Sequence, residues 1–423
     1  MSAAPLNTPG PATAALAFTP YQKFTAGLLA FLQFAVILDF MVMAPLGAVI
    51  MPALSVTPAR FGMIVSAYAF SAGISGLLAA GFADRFDRKK FLLFFYVGFI
   101  AGTLWCGLAQ SFHSLLAARV VTGLFGGVIG SVVLAIATDL YAPQLRGRVM
   151  AVIQTAFAAS QVLGIPVALY LSNKWDWHAP FFMMVAVGAI GGLVLAWRLQ
   201  PVVGHLSGKQ ERNPLRHLIT TLTQRRHLPA FATTALLTTG GFMLMPFSSV
   251  FTVNNLGISL THLPTIYLIT GLCTIVTGPL IGKAADAWGK MPVFYGGSIL
   301  TSIMVLIYTH LSAIPLLAVV AVNVIMFVGI FSRMIPYQAL ASSVPELHMR
   351  GSFNAISASI QQLSGGFAAV IAGHLVSTAP DGKLVGFPTI GYVMVATTFL
   401  AALLARQVNR EMLSRQEAAR AAG

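Results

Sequence analysis

Twelve separate runs of about twenty or more mostly apolar residues recur along the chain, and a helix of that length crosses the ~30 Å hydrocarbon core of a bilayer. They fall near 24–53, 61–83, 91–110, 114–139, 149–172 and 178–198, and again near 229–253, 263–285, 292–311, 313–341, 352–376 and 387–405. Inside lipid every backbone N–H and C=O must be bonded within the protein, and runs this long and this free of alternation are not barrel strands, so helices remain. Hydrophobic residues make up 57% of the chain and charged residues 9%, against roughly a quarter charged in a soluble domain. The expected fold is an all-α polytopic membrane protein. About twenty residues rich in Ala, Pro and Thr precede the first run, and no small-residue cleavage site follows a short apolar core, so that run reads as a retained helix rather than a signal peptide.

A formal net charge of +14 would suit nucleic acid, but the distribution of the basic residues explains it otherwise. With alternate loops assigned to alternate sides, one side holds Lys23, Arg85, Arg88, Lys89, Lys90, Arg146, Arg148, Arg198, the basic residues of 201–227, Lys283, Lys290, Arg350, Arg406, Arg410, Arg415 and Arg420. The other holds Arg60, Lys174 and Lys383. The positive-inside rule then predicts both termini cytoplasmic in a multi-pass protein of the cell (inner or plasma) membrane, with anionic lipid as a second role for the charge. Cys106 and Cys273 lie in different spans of opposite halves, which argues against a structural disulfide.

The stretch Pro201 to Arg226 is the longest polar segment between spans and divides six runs from six. This predicts an N-terminal tail over 1–22, a first bundle over 23–200, a cytoplasmic linker over 201–227, a second bundle over 228–408 and a C-terminal tail over 409–423. The halves repeat one another. Asp84-Arg85-Phe86-Asp87-Arg88-Lys89 after the second run matches Asp286-Ala287-Trp288-Gly289-Lys290 after the eighth, and Pro143 to Gly147 before the fifth matches Pro345 to Gly351 before the eleventh. In both matches the leading residues stand 202 positions apart. Duplicated six-helix bundles imply a central cavity between them that opens alternately to each face.

On these residues the chain resembles the major facilitator superfamily of secondary transporters over essentially its whole length. The family's loop signature, Gly-x-x-x-Asp-Arg/Lys-x-Gly-Arg/Lys-Arg/Lys, is kept in the second copy by Gly282, Asp286, Gly289 and Lys290. The first copy keeps Asp84, Arg85, Arg88, Lys89 and Lys90, with Ala80 and Asp87 at the two glycine positions. Leu115-x-x-x-Arg119-x-x-Thr122-Gly123, followed by Gly126 and Gly127, resembles the family's fourth-helix signature. Gly164-Ile165-Pro166 in the fifth run is similar to the looser antiporter signature of the drug and sugar efflux branch. The resemblance implies twelve transmembrane helices as two pseudo-symmetric six-helix bundles around a central cavity, a monomer, and charge pairs in the loop motif that hold one access state. The competing reading of that loop is a solvated topology anchor.

Asp39 stands in the middle of the first run, in a chain that otherwise keeps acids out of its apolar segments. An ionisable group at bilayer depth costs at least roughly 2.5–3.5 kcal/mol, which makes it a functional candidate. Counting helix rise puts it about 22 Å along the first span. Arg119 enters the fourth span from the opposite face, about 9 Å deep, at a comparable level. A pair of opposite sign would lower the cost of both charges. The readings of Asp39 are a proton carrier tuned by Arg119, a static ion pair, or a contact for a cationic substrate. Arg333, in the tenth run, is expected to snorkel to the interface or touch a cytoplasmic gate, or else to bind an anionic substrate group. Gln33, Gln154, Gln161 and Gln361 join Asp39 and Arg333 as cavity candidates, against plain interhelical hydrogen bonding. Gly123, Gly126, Gly127 and Gly130 suit close helix approach. No Gly-Lys-Ser/Thr follows a glycine-rich run, and no His cluster has metal-ligand spacing, so neither an ATP-driven pump, a metal nor a cofactor is expected.

The expected function is proton-coupled efflux of small organic molecules, hydrophobic or weakly cationic, by alternating access. A proton-coupled importer or an uncoupled facilitator is the nearest alternative, and a transporter-like receptor a distant one. No nucleophile, base and metal constellation points to an enzyme. The expected partners are substrate, protons and membrane lipid, with no nucleic acid.

Overall fold

The structure is a computed structural model that describes residues 17–79, 82–207, 214–346 and 349–421. Among these, twelve helical spans are long and apolar enough to cross a membrane, as the apolar runs predict. The first half comprises α1 (Pro20–Val42), α2 (Gly47–Ala53), α3 (Pro58–Ala79), α4 (Arg88–Leu108), α5 (Phe112–Leu140), α6 (Pro143–Ala159), α7 (Ile165–Lys174) and α8 (Ala179–Arg198). A short helix α9 (Pro214–Thr223) lies in the linker. The second half comprises α10 (Leu228–Asn254), α11 (Leu263–Trp288), α12 (Lys290–Thr309), α13 (Leu316–Ala341), α14 (Arg350–Leu375) and α15 (Phe387–Ala421). A minimal hairpin of β1 (Ser377–Thr378) and β2 (Leu384–Val385) joins the last two helices.

Local chemistry sets several boundaries. Thr19 and Gln22 form a reciprocal capping box at the start of α1, satisfying two amides that a helix N-terminus leaves open. Asp87 caps α4 through the amide of Lys89 at 2.9 Å and also accepts from the amide of Val202 at 3.0 Å, tying the start of the linker to this loop. Gly289 turns the chain between α11 and α12 at φ +94°, where a side chain would be strained.

Three boundaries differ from the sequence expectation. The first run is not one helix. It breaks at residues 43–46 because Pro45 has no N–H to donate and disfavours helical backbone at Ala44, leaving α1 and α2 as separate pieces. The fifth span carries a π-helical turn at Ser160–Gly164, just where Pro166 removes a backbone donor and forces the preceding turn to widen. The last helix continues to Ala421, since residues beyond 405 are strong helix formers such as Ala, Arg, Gln and Glu.

The two halves share one large core at one end, and at the other they touch mainly where α3 packs against the second half. At the end opposite the termini a single hydrophobic cluster draws on both halves, including Val42, Leu46, Phe61 and Phe181 with Phe247, Phe251, Ala369 and Phe387. At the termini-bearing end the first half has its own cluster around Tyr96, Phe99 and Ile136. The second half has two there, one around Phe231 and Phe353, joined by Leu77 of α3, and one around Phe294 and Tyr337. Close backbone approach makes the shared end tight. A Cβ on Gly62 would lie 2.5 Å from the carbonyl oxygen of Ala369, and one on Gly373 would lie 2.8 Å from that of Pro58. Ser249 Oγ donates to the carbonyl of Ala44 at 2.9 Å, beside the Pro45 break, and Asn173 Nδ2 donates to Leu260 O at 2.8 Å.

Candidate functional site

Asp39 and Arg119 come together inside the first half. Arg119 Nη1 lies 2.7 Å from Asp39 Oδ2 and also donates to the Asp39 carbonyl at 3.3 Å. The two side chains are 0% and 1% exposed, so neither touches open space in this conformation. Among the described residues Asp39 is the one carboxylate so buried. Helix α5 can deliver Arg119 to α1 because its glycines admit α3 at close range. A Cβ on Gly127 would overlap the carbonyl oxygen of Ala72, and one on Gly123 would lie 2.5 Å from Tyr68 O. The predicted role in close helix approach is therefore seen at Gly123 and Gly127, whereas a Cβ on Gly130 would meet only the Gln33 amide at 3.6 Å.

Three neighbours complete the cluster, and none was selected from the sequence. Thr103 Oγ1 of α4 lies 3.2 Å from Asp39 Oδ1 and 3.0 Å from Phe99 O. One hydroxyl proton cannot serve both. An ionised Asp39 takes that proton; a protonated Asp39 can instead donate to Thr103 Oγ1, whose own proton then turns to Phe99 O. The ring of Tyr68 on α3 stacks under Arg119, with the guanidinium carbon 4.5 Å from the ring centroid, a cation–π contact that is strongest when desolvated. Cys106 packs in the same cluster against Thr122 at 3.8 Å. A Thr and a Tyr inside apolar helices were the only signal in the sequence, and nothing in it says which way they face.

The other candidates are dispersed. Arg333 does not snorkel. It is 1% exposed, and its Nη1 donates to Thr398 Oγ1 of α15 at 2.8 Å. A Cβ on Gly297 of α12 would lie 2.7 Å from the Arg333 amide nitrogen. The guanidinium thus lies within the second half against α15 rather than at the interface, because Gly297 lets α12 and α13 approach closely and Thr398 supplies the acceptor. Gln33 is half-buried beside Gly130, with Oε1 unpartnered. Gln161 is buried in the π-helical turn, whose backbone abuts Gly271 of α11, while Gln154 is exposed and Gln361 half-buried. A small, mostly apolar pocket that sequence reasoning missed is lined by Leu263, Ile266 and Phe327 together with the polar groups of Ser248, Thr252, Tyr267, Thr270, Tyr308 and Asn323, and the hydroxyl of Thr270 there is buried without a partner.

In the loop motif, Arg88 is buried and pairs with Asp139 of α5 at 3.2 Å, so acids are not wholly excluded from the other spans: Asp139 sits at the end of one. Arg85 and Asp286 are exposed, and Asp286 lies in the last turn of α11 rather than in a loop. Lys290 Nζ donates to Ala339 O at the end of α13 at 3.2 Å. A Cβ on Gly282 would meet nothing within 4 Å. The Asp84 side chain and Ala80 lie outside the described residues.

The Major Facilitator Superfamily profile matches residues 29–370. The chain is 25% identical over 373 residues to "Uncharacterized MFS-type transporter YceJ" of Bacillus subtilis (strain 168), covering 87% of this chain and 93% of that one. It is 28% identical over 131 residues to "Multidrug resistance protein 3" of the same organism, spanning about a quarter (26%) of that protein. Among solved structures it superposes with a TM-score of 0.72 on a bacterial homologue of the human lysosomal transporter Spinster in an inward-facing, unoccupied conformation, at 17% identity and covering 94% of this chain and 99% of that chain. It superposes equally well, at 0.72, on a point mutant of the nucleoside transporter NupG, at 13% identity and covering 91% and 99%. Fold and sequence agree with the resemblance drawn from the loop and helix signatures: the chain belongs to the Major Facilitator Superfamily, whose members are transporters and not enzymes.

Proposed function

We propose that this transporter exports small organic molecules, hydrophobic or weakly cationic, in exchange for protons, and that Asp39 carries the proton. The observation that carries the reading is the Asp39–Arg119 pair at 2.7 Å, buried within the first half. Its charge balance changes when a proton binds, and a buried cation left without its partner is costly enough to drive rearrangement. The one-ended seal between the halves supports alternating access, with the open end cytoplasmic if the basic loops are cytoplasmic. The likeness to a multidrug resistance protein over part of the chain supports export. The half-buried amides of Gln33 and Gln361 and the buried Gln161 are cavity groups in this reading.

The test is transport in energised inverted vesicles, followed with a pH-sensitive dye across a compound panel, for wild type and Asp39→Asn. Proton release on adding a compound in wild type alone supports the assignment. Compound crossing with no proton movement in either makes the protein a facilitator and Asp39 a structural group.

A further inference from the structure

An unbroken file of aromatic rings leads from the buried ion pair to the opposite half. The Arg119 guanidinium lies on the face of Tyr68 at 4.5 Å, the Tyr68 ring is 5.2 Å from that of Phe40, and Phe40 is 5.7 Å from Phe242. Phe40 and Tyr68 belong to α1 and α3, whereas Phe242 belongs to α10 of the second half. Both ends of the file are boxed in. Gly126 of α5 leaves room for the Tyr68 hydroxyl, which would lie 2.7 Å from a Cβ there, and Gly365 of α14 receives the Phe242 ring, whose Cδ1 would lie 2.8 Å from a Cβ.

We propose that Tyr68, Phe40 and Phe242 are positioning residues that link the charge state of Asp39 to the seal between the halves; this rests on the proton-coupled reading. With Asp39 ionised, Arg119 is shared between the carboxylate and the Tyr68 face. Once a proton neutralises the carboxylate, the ring face and the Asp39 carbonyl are the attractions that remain. The guanidinium then re-centres on Tyr68. Tyr68 cannot recede into α5, because its backbone already abuts Gly123, so the displacement goes into Phe40 and from there to Phe242. Close-packed interiors transmit such shifts rather than absorb them. The groups facing Asp39 are Arg119 on α5, Tyr68 on α3, and Thr103 and Cys106 on α4. Helices α6, α7 and α8 carry charge only toward their ends, at Arg146, Arg148, Lys174 and Arg198, and α10 carries none.

The full-length protein in nanodiscs, without substrate, is spin-labelled through Trp175→Cys and Asp381→Cys, two exposed positions in opposite halves at the sealed end. The Cys273→Ser background removes the other accessible thiol, since Cys106 is fully buried. Electron–electron distances are measured at a series of pH values from about 3.5 to about 9, a range that starts below the ordinary aspartate value of about 3.9. The expected result is a pH-dependent change in the distance distribution for wild type and for Tyr68→Phe, which keeps the ring face. The change is abolished in Asp39→Asn, Tyr68→Leu and Phe242→Leu, and Phe40→Leu/Phe242→Leu behaves no worse than either single variant, as members of one path do. A wild-type pH response in Phe242→Leu overturns the inference while leaving the proton reading intact. A wild type that does not respond, indistinguishable from Asp39→Asn, overturns the proton reading and the inference with it.

Discussion

Removing one charge of the buried pair should cost far more than removing both. Arg119→Leu leaves Asp39 with the Thr103 hydroxyl as its remaining side-chain partner, and an unpaired buried charge of this kind costs about 3–5 kcal/mol. Asp39→Leu leaves Arg119 with the backbone carbonyl at position 39, 3.3 Å away, and the Tyr68 face at 4.5 Å. A desolvated cation–π contact offsets up to about 2 kcal/mol of that loss, so this single variant costs about 1–3 kcal/mol. The double variant Asp39→Leu/Arg119→Leu carries no charge to desolvate. Apolar replacement of such pairs is neutral or stabilises by about 1–4 kcal/mol. The double-mutant cycle should therefore give an interaction of at least about 3 kcal/mol, well outside the ~0.5 kcal/mol within which independent sites add. Reversible unfolding in mixed detergent micelles measures all four proteins. If the two single losses add to the double loss within that margin, the charges do not stabilise each other and the reasoning about this pair is wrong.

Two further outcomes follow from charges elsewhere. Thr398→Val removes the acceptor that holds Arg333 Nη1 at 2.8 Å and should destabilise the second half by about 1.5–3 kcal/mol, the worth of a hydrogen bond to a charged group, whereas Thr398→Ser should be near neutral in the same unfolding measurement. Asp176, between α7 and α8, is exposed; the little desolvation it has opposes its charge, but the amides of His178 and Ala179, at 2.8 and 3.2 Å, and the His178 ring outweigh this and hold its carboxyl below the usual carboxylate range. A depressed folded pKa contributes stability that is complete above the unfolded value of about 3.9 and is lost as pH falls through the folded value. Asp176→Ala should thus cost a few tenths to at most about 1 kcal/mol near neutral pH, because solvent screens this exposed carboxylate, and should converge with wild type in strongly acidic unfolding measurements.

The membrane spans, their number and the duplication were legible because they are properties of local runs: hydrophobicity over twenty residues and a repeated loop need no knowledge of which helix meets which. The meeting of Asp39 with Arg119 was also foreseen, because an acid and a base at matching depths have few other ways to lower their cost. Thr103 and Tyr68 were not foreseen. A hydroxyl or a ring in an apolar helix looks the same whether it faces lipid, a neighbouring helix or a buried carboxylate, and only the rotation of α3 and α4 about their axes decides among these. Arg333 shows the same limit. Its position along α13 allowed snorkelling, and the close approach of α12 at Gly297 with Thr398 in reach turned the guanidinium into the bundle instead.

Sequence by itself determined that this chain crosses a membrane twelve times as two related halves, with one acid and one base at a common depth in the first. That follows from the expense of exposing backbone and charge to hydrocarbon, which each segment must settle within its own length or with a partner of opposite sign. Only the tertiary structure decided that the halves share one large core at one end and at the other touch mainly through Leu77 of α3, and that a file of rings connects the ion pair to the second half. Helix–helix contact in lipid depends on shape, on where a glycine lets one backbone approach another, and on which face each helix turns inward. Those are relations between segments distant in the chain, and no single run of residues contains them.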